Sequence, residues 1–198
     1  MRNNKLHISQ LSFLALTAVL NIVGANLALT LRLPIYFDTL GTMMAAMLFG
    51  PVYGMIPGLM SALITGVTTD IYSLFFLPVQ LITGFAAGLL LYTKDRTIHS
   101  GRFPLPVLTL MISVPGTVVS ALISSFVFGG ITSSGSSVLV QILHHSGLGL
   151  TASVFCVQIF TDYADRILTL FVSIFLLHAL PKSIIQSLKE GVSYGSIQ

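Results

Sequence analysis

The sequence predicts an all-α integral membrane protein, a six-transmembrane-helix bundle that forms a single domain over residues 1–198. Of the 198 residues, 54% are hydrophobic and only 8% are charged, whereas soluble domains carry roughly 25% charged residues. Long apolar runs are separated by short polar segments, and no glycine-serine or charged linker divides the chain. The basic residues gather on one side of the predicted membrane. The net charge of +3 does not indicate nucleic-acid binding.

The apolar runs predict helices near residues 9–31, 39–49, 52–67, 74–92, 104–128 and 150–180. The first run covers about 21 residues, which exceeds a signal-peptide core of roughly 7 to 15 and predicts a retained helix. The second and third helices are short for a bilayer that needs about 20 residues, and only Gly50 and Pro51 join them. We therefore expect these two helices to be tilted or to be shielded by neighbouring helices.

The last apolar region has two interpretations, because residues 138–160 could cross alone and residues 167–180 could form a seventh span. Basic residues in short loops are retained in the cytoplasm. With six helices, most basic residues fall on one side, namely Arg2, Lys5, Lys94, Arg96, Arg102, Lys182 and Lys189. A seventh span would place Lys182 and Lys189 outside, so six helices are favoured. Both termini of this multi-pass cell-membrane protein are then cytoplasmic.

Small residues recur at intervals of four along the second and third predicted helices. Such a face lets a neighbouring backbone approach closely. It indicates either packing inside this bundle or docking of a partner subunit, and the sequence leaves both open. These residues are Ala46, Gly50, Gly54, Gly58, Ala62 and Gly66.

The last predicted helix carries three ionisable residues, Asp162, Asp165 and Arg166, within an apolar run. Each costs about 2.5 to 3.5 kcal/mol in a bilayer and usually faces a cavity or a partner. Asp162 and Arg166 are four residues apart, which predicts an ion pair along one helical face. This pair could lock the helix to the bundle or bind a ligand, and the two roles are compatible.

Further polar residues fall in the outer half of the six-helix bundle. Together with Asp162 and Arg166, they predict a polar substrate-binding cavity that opens outward, although a single Asn or Gln often only joins helices. Arg32 could also extend to lipid headgroups. These further residues are Asn21, Asn26, Arg32, Tyr36, Asp38, Asp70, Tyr72, Gln80 and Gln158.

Motifs for metal, cofactor and catalytic chemistry are missing from the sequence. His144 and His145 are adjacent and point in different directions on a helix, and no cysteine or glutamate cluster completes a metal site. The sequence contains no nucleophile elbow, no zinc-protease motif and no phosphate-binding loop. We therefore expect no metal, no cofactor and no enzyme activity.

Five stretches of the sequence are distinctive, namely LRLPIYFDTLGT at residues 31–42, LFGPVYG at 48–54, PVQLITGFAAG at 78–88, FGGITS at 128–133 and TDYADR at 161–166. They resemble substrate-binding S components of energy-coupling factor (ECF) vitamin transporters. The resemblance implies a subunit that captures a vitamin outside the cell and topples in the membrane. It also implies three partners, a transmembrane coupling (T) subunit and two cytoplasmic ATPase subunits.

The family docks its coupling subunit through small residues on the first helix, typically in an Ala-x-x-x-Ala pattern. The residues that approximate this pattern here are Ala15, Ala18, Gly24, Ala25 and Ala28. Among family substrates, the mixed charges and the aromatic residues Tyr36 and Tyr72 favour a pyridoxine-like or hydroxymethylpyrimidine-like ring over pantothenate, riboflavin or cobalamin. Two alternatives stay open, a proton-coupled secondary carrier that uses Asp162 or Asp70, and a membrane enzyme with an unrecognised site.

Overall fold

The computed structural model describes residues 7–92 and 103–194, and these ranges consist of helices and connecting segments and contain no strand. The helices are α1 (Ile8–Thr30), α2 (Leu40–Phe49), α3 (Pro51–Thr68), α4 (Tyr72–Phe75), α5 (Leu77–Leu91), α6 (Leu105–Phe126), α7 (Ser136–His145), α8 (Leu150–Ala179) and α9 (Lys182–Tyr194). Some of the basic residues behind the predicted orientation, Arg2, Lys5, Lys94, Arg96 and Arg102, lie outside the described residues.

Three described helices, α1, α3 and α6, are long and apolar enough to cross a membrane. A fourth candidate is α8 taken together with Lys182–Lys189 of α9, although the pair bends by 104°. Helices α2 and α5 are apolar but shorter. The all-helical architecture and the presence of several potential membrane-spanning helices agree with the prediction from composition.

Helix α2 is short because it lies inside the bundle. Nine of its 10 residues are buried, and it packs against α1, α3, α5, α8 and α9. Its methionines Met43, Met44 and Met47 are at most 4% exposed and form part of the main hydrophobic core. Shielding by neighbouring helices, one of the two predicted explanations for its length, is therefore what the structure shows for α2.

The small-residue face is used for packing within the chain. A Cβ at Gly84 on α5 would lie 2.6 Å from the backbone oxygen of Gly54 on α3, and a Cβ at Gly54 would lie 2.8 Å from Ala46 on α2. On the other side of α2, a Cβ at Gly41 would lie 1.9 Å from the backbone oxygen of Thr17 on α1. These contacts bring four helices together at backbone distance, which only small residues allow.

Three predicted boundaries need correction. The polar segment expected to be a long loop at residues 129–147 contains α7, because Val140 packs against Val154 and Ala121 in a second small core. The predicted fourth helix, near residues 74–92, is divided into α4 and α5 at Phe76. The chain after residue 180 continues as α9, whose Ile185 and Leu188 join the main core.

The residues predicted to dock a coupling subunit do not form one accessible face. Ala18 and Ala28 are 5% and 4% exposed. Gly24 is buried against the connection between α1 and α2, since a Cβ there would lie 2.2 Å from the backbone oxygen of Phe37. Ala25 is half-buried and lines a cavity described below. Only Ala15 is exposed, so this conformation does not offer the predicted set to a partner.

Candidate functional site

A cavity lies at the end of the bundle where α1 and α3 end and α5 begins. Its volume is about 80 Å³, which is room for two or three water molecules at the roughly 30 Å³ that each takes up in the liquid. Helices α1, α3, α4, α5, α6 and α8 all contribute to its wall, together with connecting segments at residues 31–39 and 127–135. One such pocket with a few convergent polar groups is typical of a small-molecule site.

Eight of the eleven residues predicted to bind substrate line this cavity: Asn21, Tyr36, Asp38, Asp70, Tyr72, Gln80, Asp162 and Arg166. The other three do not. Asn26 donates to the backbone oxygen of Ile22 within α1, and Gln158 is buried and donates to Ser124 on α6. Arg32 is exposed and has a positive φ of 50° in the segment that follows α1.

Asn21 lines the cavity but is already committed to helix packing. Its amide nitrogen donates to Thr42 Oγ1 at 2.8 Å, and its amide oxygen accepts from the backbone N–H of Gly41 at 2.7 Å. Both partners lie on α2, and Asn21 is 0% exposed. This residue therefore fixes the start of α2 against α1, as buried polar side chains between membrane helices commonly do.

Asp165 and Arg166 on α8 hold the connection between α1 and α2 in place. Asp165 Oδ1 accepts from the backbone N–H groups of Tyr36 and Phe37, at 2.9 and 2.8 Å. Its second oxygen contacts Arg166 Nη1 at 2.6 Å, and the same nitrogen donates to Thr39 Oγ1 at 2.8 Å. Asp165 is 0% exposed, so these charge-assisted bonds are buried and strong.

The predicted ion pair between Asp162 and Arg166 is wrong. The guanidinium lies against Asp165, its neighbour in sequence, and 3.7 Å from Asp38 Oδ1. The long arginine side chain extends to the segment before α2, where Thr39 accepts its hydrogen bond. Asp162 Oδ1 is buried and has no hydrogen-bond partner in the described part of the chain. The i,i+4 rule ranks only pairs on one helix, whereas tertiary partners determine the pairing here.

Asp38 lies opposite Arg166, and its second oxygen accepts from the Gln80 amide. Burial raises the pKa of Asp38 from its ordinary value to about 6, while the positive charge of Arg166 opposes this rise. Burial, followed by the negative charge of Asp162, raises the pKa of Tyr36 to about 12. The phenol therefore stays protonated at neutral pH, and it lies 3.3 Å from Ser136 Oγ.

Four buried polar atoms of the cavity residues have no hydrogen-bond partner among the described residues. They are Asp38 Oδ1, Thr65 Oγ1, Gln80 Oε1 and Asp162 Oδ1. Leaving such a group unpaired away from water costs about 1 to 3 kcal/mol, so a cluster of them on one cavity indicates a place for water or a ligand.

Two connecting segments that line the cavity, before α4 and after α6, contact each other. Ser133 Oγ donates to Asp70 Oδ2 at 2.8 Å. Beside this bond, the ring of Phe128 contacts Tyr72 and Phe76, with centroids 4.8 and 6.1 Å apart. The segment that carries Phe128 and Ser133 follows α6 and lies between helices, and Ser133 lines the cavity.

Sequence reasoning missed several cavity residues. Thr65 and Ser120 are single hydroxyl residues on apolar helices, with no pattern to separate them from packing residues. Ser134 was not predicted because it lies in a serine-rich segment between two predicted helices, where no pattern distinguishes it from the neighbouring serines. Asp165 was named among the ionisable residues of the last predicted helix, but its pairing with Arg166 was not predicted.

No protein-family model, curated protein or solved structure matches this chain. Within the described ranges, no group of three His, Cys, Asp or Glu residues is placed to hold a metal ion. The candidate site therefore consists of the cavity, its unpaired polar atoms and the buried charges on α8 and before α2.

Proposed function

We propose that this protein is the substrate-capturing membrane subunit, the S component, of an ECF-type importer for a water-soluble vitamin or vitamin precursor. In this proposal six helices cross the cell membrane, with α2 shielded by its neighbours, and both termini are cytoplasmic. The proposal is supported by the resemblance of the LRLPIYFDTLGT, PVQLITGFAAG and TDYADR stretches to that family. It is supported independently by the form of the cavity.

The observation that carries the proposal is the group of unpaired polar atoms around one cavity of a largely apolar helical chain. Asp162 and Gln80 are each 5% exposed, and one oxygen of each has no partner. A membrane protein that needed only packing would satisfy or omit such groups, because they are costly away from water. A captured polar molecule would satisfy them.

Capture alone does not move a substrate against its gradient. The proposed partners are a transmembrane coupling (T) subunit and two cytoplasmic ATPase subunits, because the sequence has no phosphate-binding loop of its own. The exposed side of α1, with Leu11 and Leu16 at 59% and 58% exposure around Ala15, is apolar enough to face either lipid or such a partner.

The cavity favours a small substrate. At about 80 Å³, it has room for a compact polar group or one substituted ring, with some movement of the connecting segments. A pyridoxine-like or hydroxymethylpyrimidine-like ring agrees with this scale and could stack on Tyr36 or Tyr72. Riboflavin and cobalamin are several times larger, so they are disfavoured.

Native mass spectrometry of the protein purified from cells grown in rich medium tests the capture step. We expect a co-purified ligand of the mass of a single-ring vitamin, released when the detergent micelle is removed. A protein that is empty, and that also binds no member of a vitamin panel, would contradict the proposal.

A proton-coupled carrier is the second candidate, favoured by the unpaired carboxylate of Asp162 within α8. Such a group could take up and release a proton during transport. Uptake by this chain without any ATPase, abolished by removing the proton gradient, would favour the carrier. The two candidates therefore differ in their energy source.

A further inference from the structure

The charges around the cavity do not balance. Among the described residues, Arg166 is the only arginine that lines the cavity, and no lysine lines it. Its guanidinium is already paired with Asp165 at 2.6 Å, and Asp38 shares the same group at 3.7 Å. Asp162 has no ion-pair partner among the described residues, and Arg32, which was expected to contribute a second positive charge, is exposed. Three carboxylates thus surround one guanidinium.

All of the unpaired atoms that line the cavity can accept a hydrogen bond, and most can only accept. Asp38 Oδ1, Asp162 Oδ1 and Gln80 Oε1 are acceptors, and Thr65 Oγ1 can either donate or accept. The amide nitrogen of Gln80, which could have donated to a ligand, is used by Asp38. A molecule that satisfies this wall must therefore bring several N–H or O–H donors.

We infer that the ligand of this cavity is a small organic cation rich in N–H donors, such as a protonated amine or amidine on a single ring. This inference rests on the proposed function only in taking the cavity as the substrate site. The cation would lie between Asp38 and Asp162 and balance the excess carboxylate. A carboxylate ligand such as pantothenate would add a further negative charge in a region of low dielectric constant, where repulsion is strong.

Two series of ring-matched compounds test the charge preference on the full-length protein in lipid nanodiscs at pH 7.5. The first compares pyridoxamine, pyridoxine and 4-pyridoxic acid, which share a ring and carry a cationic, a neutral and an anionic substituent. The second compares the aminomethyl and hydroxymethyl forms of 4-amino-2-methylpyrimidine. Dissociation constants are measured by isothermal titration calorimetry after any co-purified ligand has been removed.

The cationic compound should bind at least tenfold more tightly than its neutral counterpart in at least one series. 4-Pyridoxic acid should bind more weakly than both of its counterparts. The inference is overturned if the cation gains no advantage in either series, including the case in which no compound binds. It is also overturned if pantothenate binds more tightly than every cation tested.

Asp162→Asn tests whether the preference originates in the cavity. The variant should reduce the ratio of cation to neutral affinity by tenfold or more, whereas Tyr163→Phe, on the next residue and outside the cavity, should leave the ratio unchanged. If Asp162→Asn does not fold, Asp38→Asn replaces it. A ratio that survives the removal of either carboxylate contradicts the inference.

The inference and the proposed function can fail separately. ATP-dependent import of pantothenate with coupling subunits would overturn the charge preference and leave the S-component proposal standing. Tight binding of a cation, with uptake driven by the proton gradient alone, would support the charge preference and overturn the S-component proposal.

Discussion

Asp162 and Asp165 lie three residues apart on α8, and replacing each one with asparagine should affect the stability of the ligand-free protein differently. Asp165→Asn keeps the shape of the side chain but removes the charge that pairs with Arg166 at 2.6 Å. It also places an amide nitrogen or a weaker acceptor against the backbone N–H groups of Tyr36 and Phe37. Breaking one partner of a buried ion pair costs about 3–5 kcal/mol.

For a chain of this length, 1 kcal/mol shifts the melting temperature by about 2–4 °C, so Asp165→Asn should lower Tm by roughly 6–20 °C. Asp162→Asn is the matched control, because Asp162 Oδ1 has no hydrogen-bond partner among the described residues. Its replacement removes the repulsion from Asp38 and Asp165 together with the attraction to Arg166, and it also removes the cost of burying a charged group. In the ligand-free protein we expect Tm to stay the same or to rise.

The assay is thermal unfolding of the ligand-free variants in one detergent, followed by far-ultraviolet circular dichroism. Hydrogen exchange at residues 31–39 adds a local readout, since loss of the Asp165 bonds should expose these amides. Equal losses of stability in the two variants would refute the assigned roles. So would an Asp165→Asn variant within about 1 kcal/mol of the parent protein.

Three further outcomes are expected. Gly41→Ala should prevent stable packing of α2, because the added Cβ would lie 1.9 Å from a backbone atom of α1. Gly149→Ala is the control and should be tolerated, because no atom lies within 4 Å of the added Cβ. The yield of monomeric protein in detergent distinguishes the two variants. A cationic ligand should bind more weakly as pH falls from 7.5 to 5, because Asp38, whose pKa burial raises to about 6, takes up a proton. Asp38→Asn should make the affinity less dependent on pH. An unchanged pH profile in this variant would refute the role of Asp38 in binding the cation. Ser133→Ala removes the bond to Asp70 between two segments that line the cavity. Stopped-flow experiments should detect several-fold faster ligand release, with stability within about 1 kcal/mol of the parent protein. Unchanged release would contradict a role of this bond in retaining the ligand.

The long helices were predictable because apolar length is a strong signal. The predicted helix near residues 9–31 corresponds to α1, which spans Ile8–Thr30, and the one near residues 150–180 corresponds to α8, which spans Leu150–Ala179. Helix α7 was missed because it is short and starts in a serine-rich segment. Only its contact with Val154 on α8 and Ala121 on α6 makes it a stable element, and such a contact is not readable from local sequence.

The location of the site was more predictable than its internal connections. Ionisable residues in an apolar chain must gather where they are satisfied, so Asp38, Asp162 and Arg166 could be expected around one cavity. Which carboxylate pairs with the arginine depends on the path of the connection between α1 and α2. That path gives Phe37 a positive φ of 52°, a conformation that is uncommon for a bulky side chain and that the local sequence does not predict.

The proposed S-component function is tested most directly by uptake into proteoliposomes that contain this chain, with and without a coupling subunit and its two ATPases. Radiolabelled ligand, chosen as the compound identified by mass spectrometry, is followed with ATP supplied on the ATPase side. Uptake is expected only when the coupling complex and hydrolysable ATP are both present. Uptake by this chain alone that depends on the proton gradient and is independent of ATP would contradict the S-component proposal.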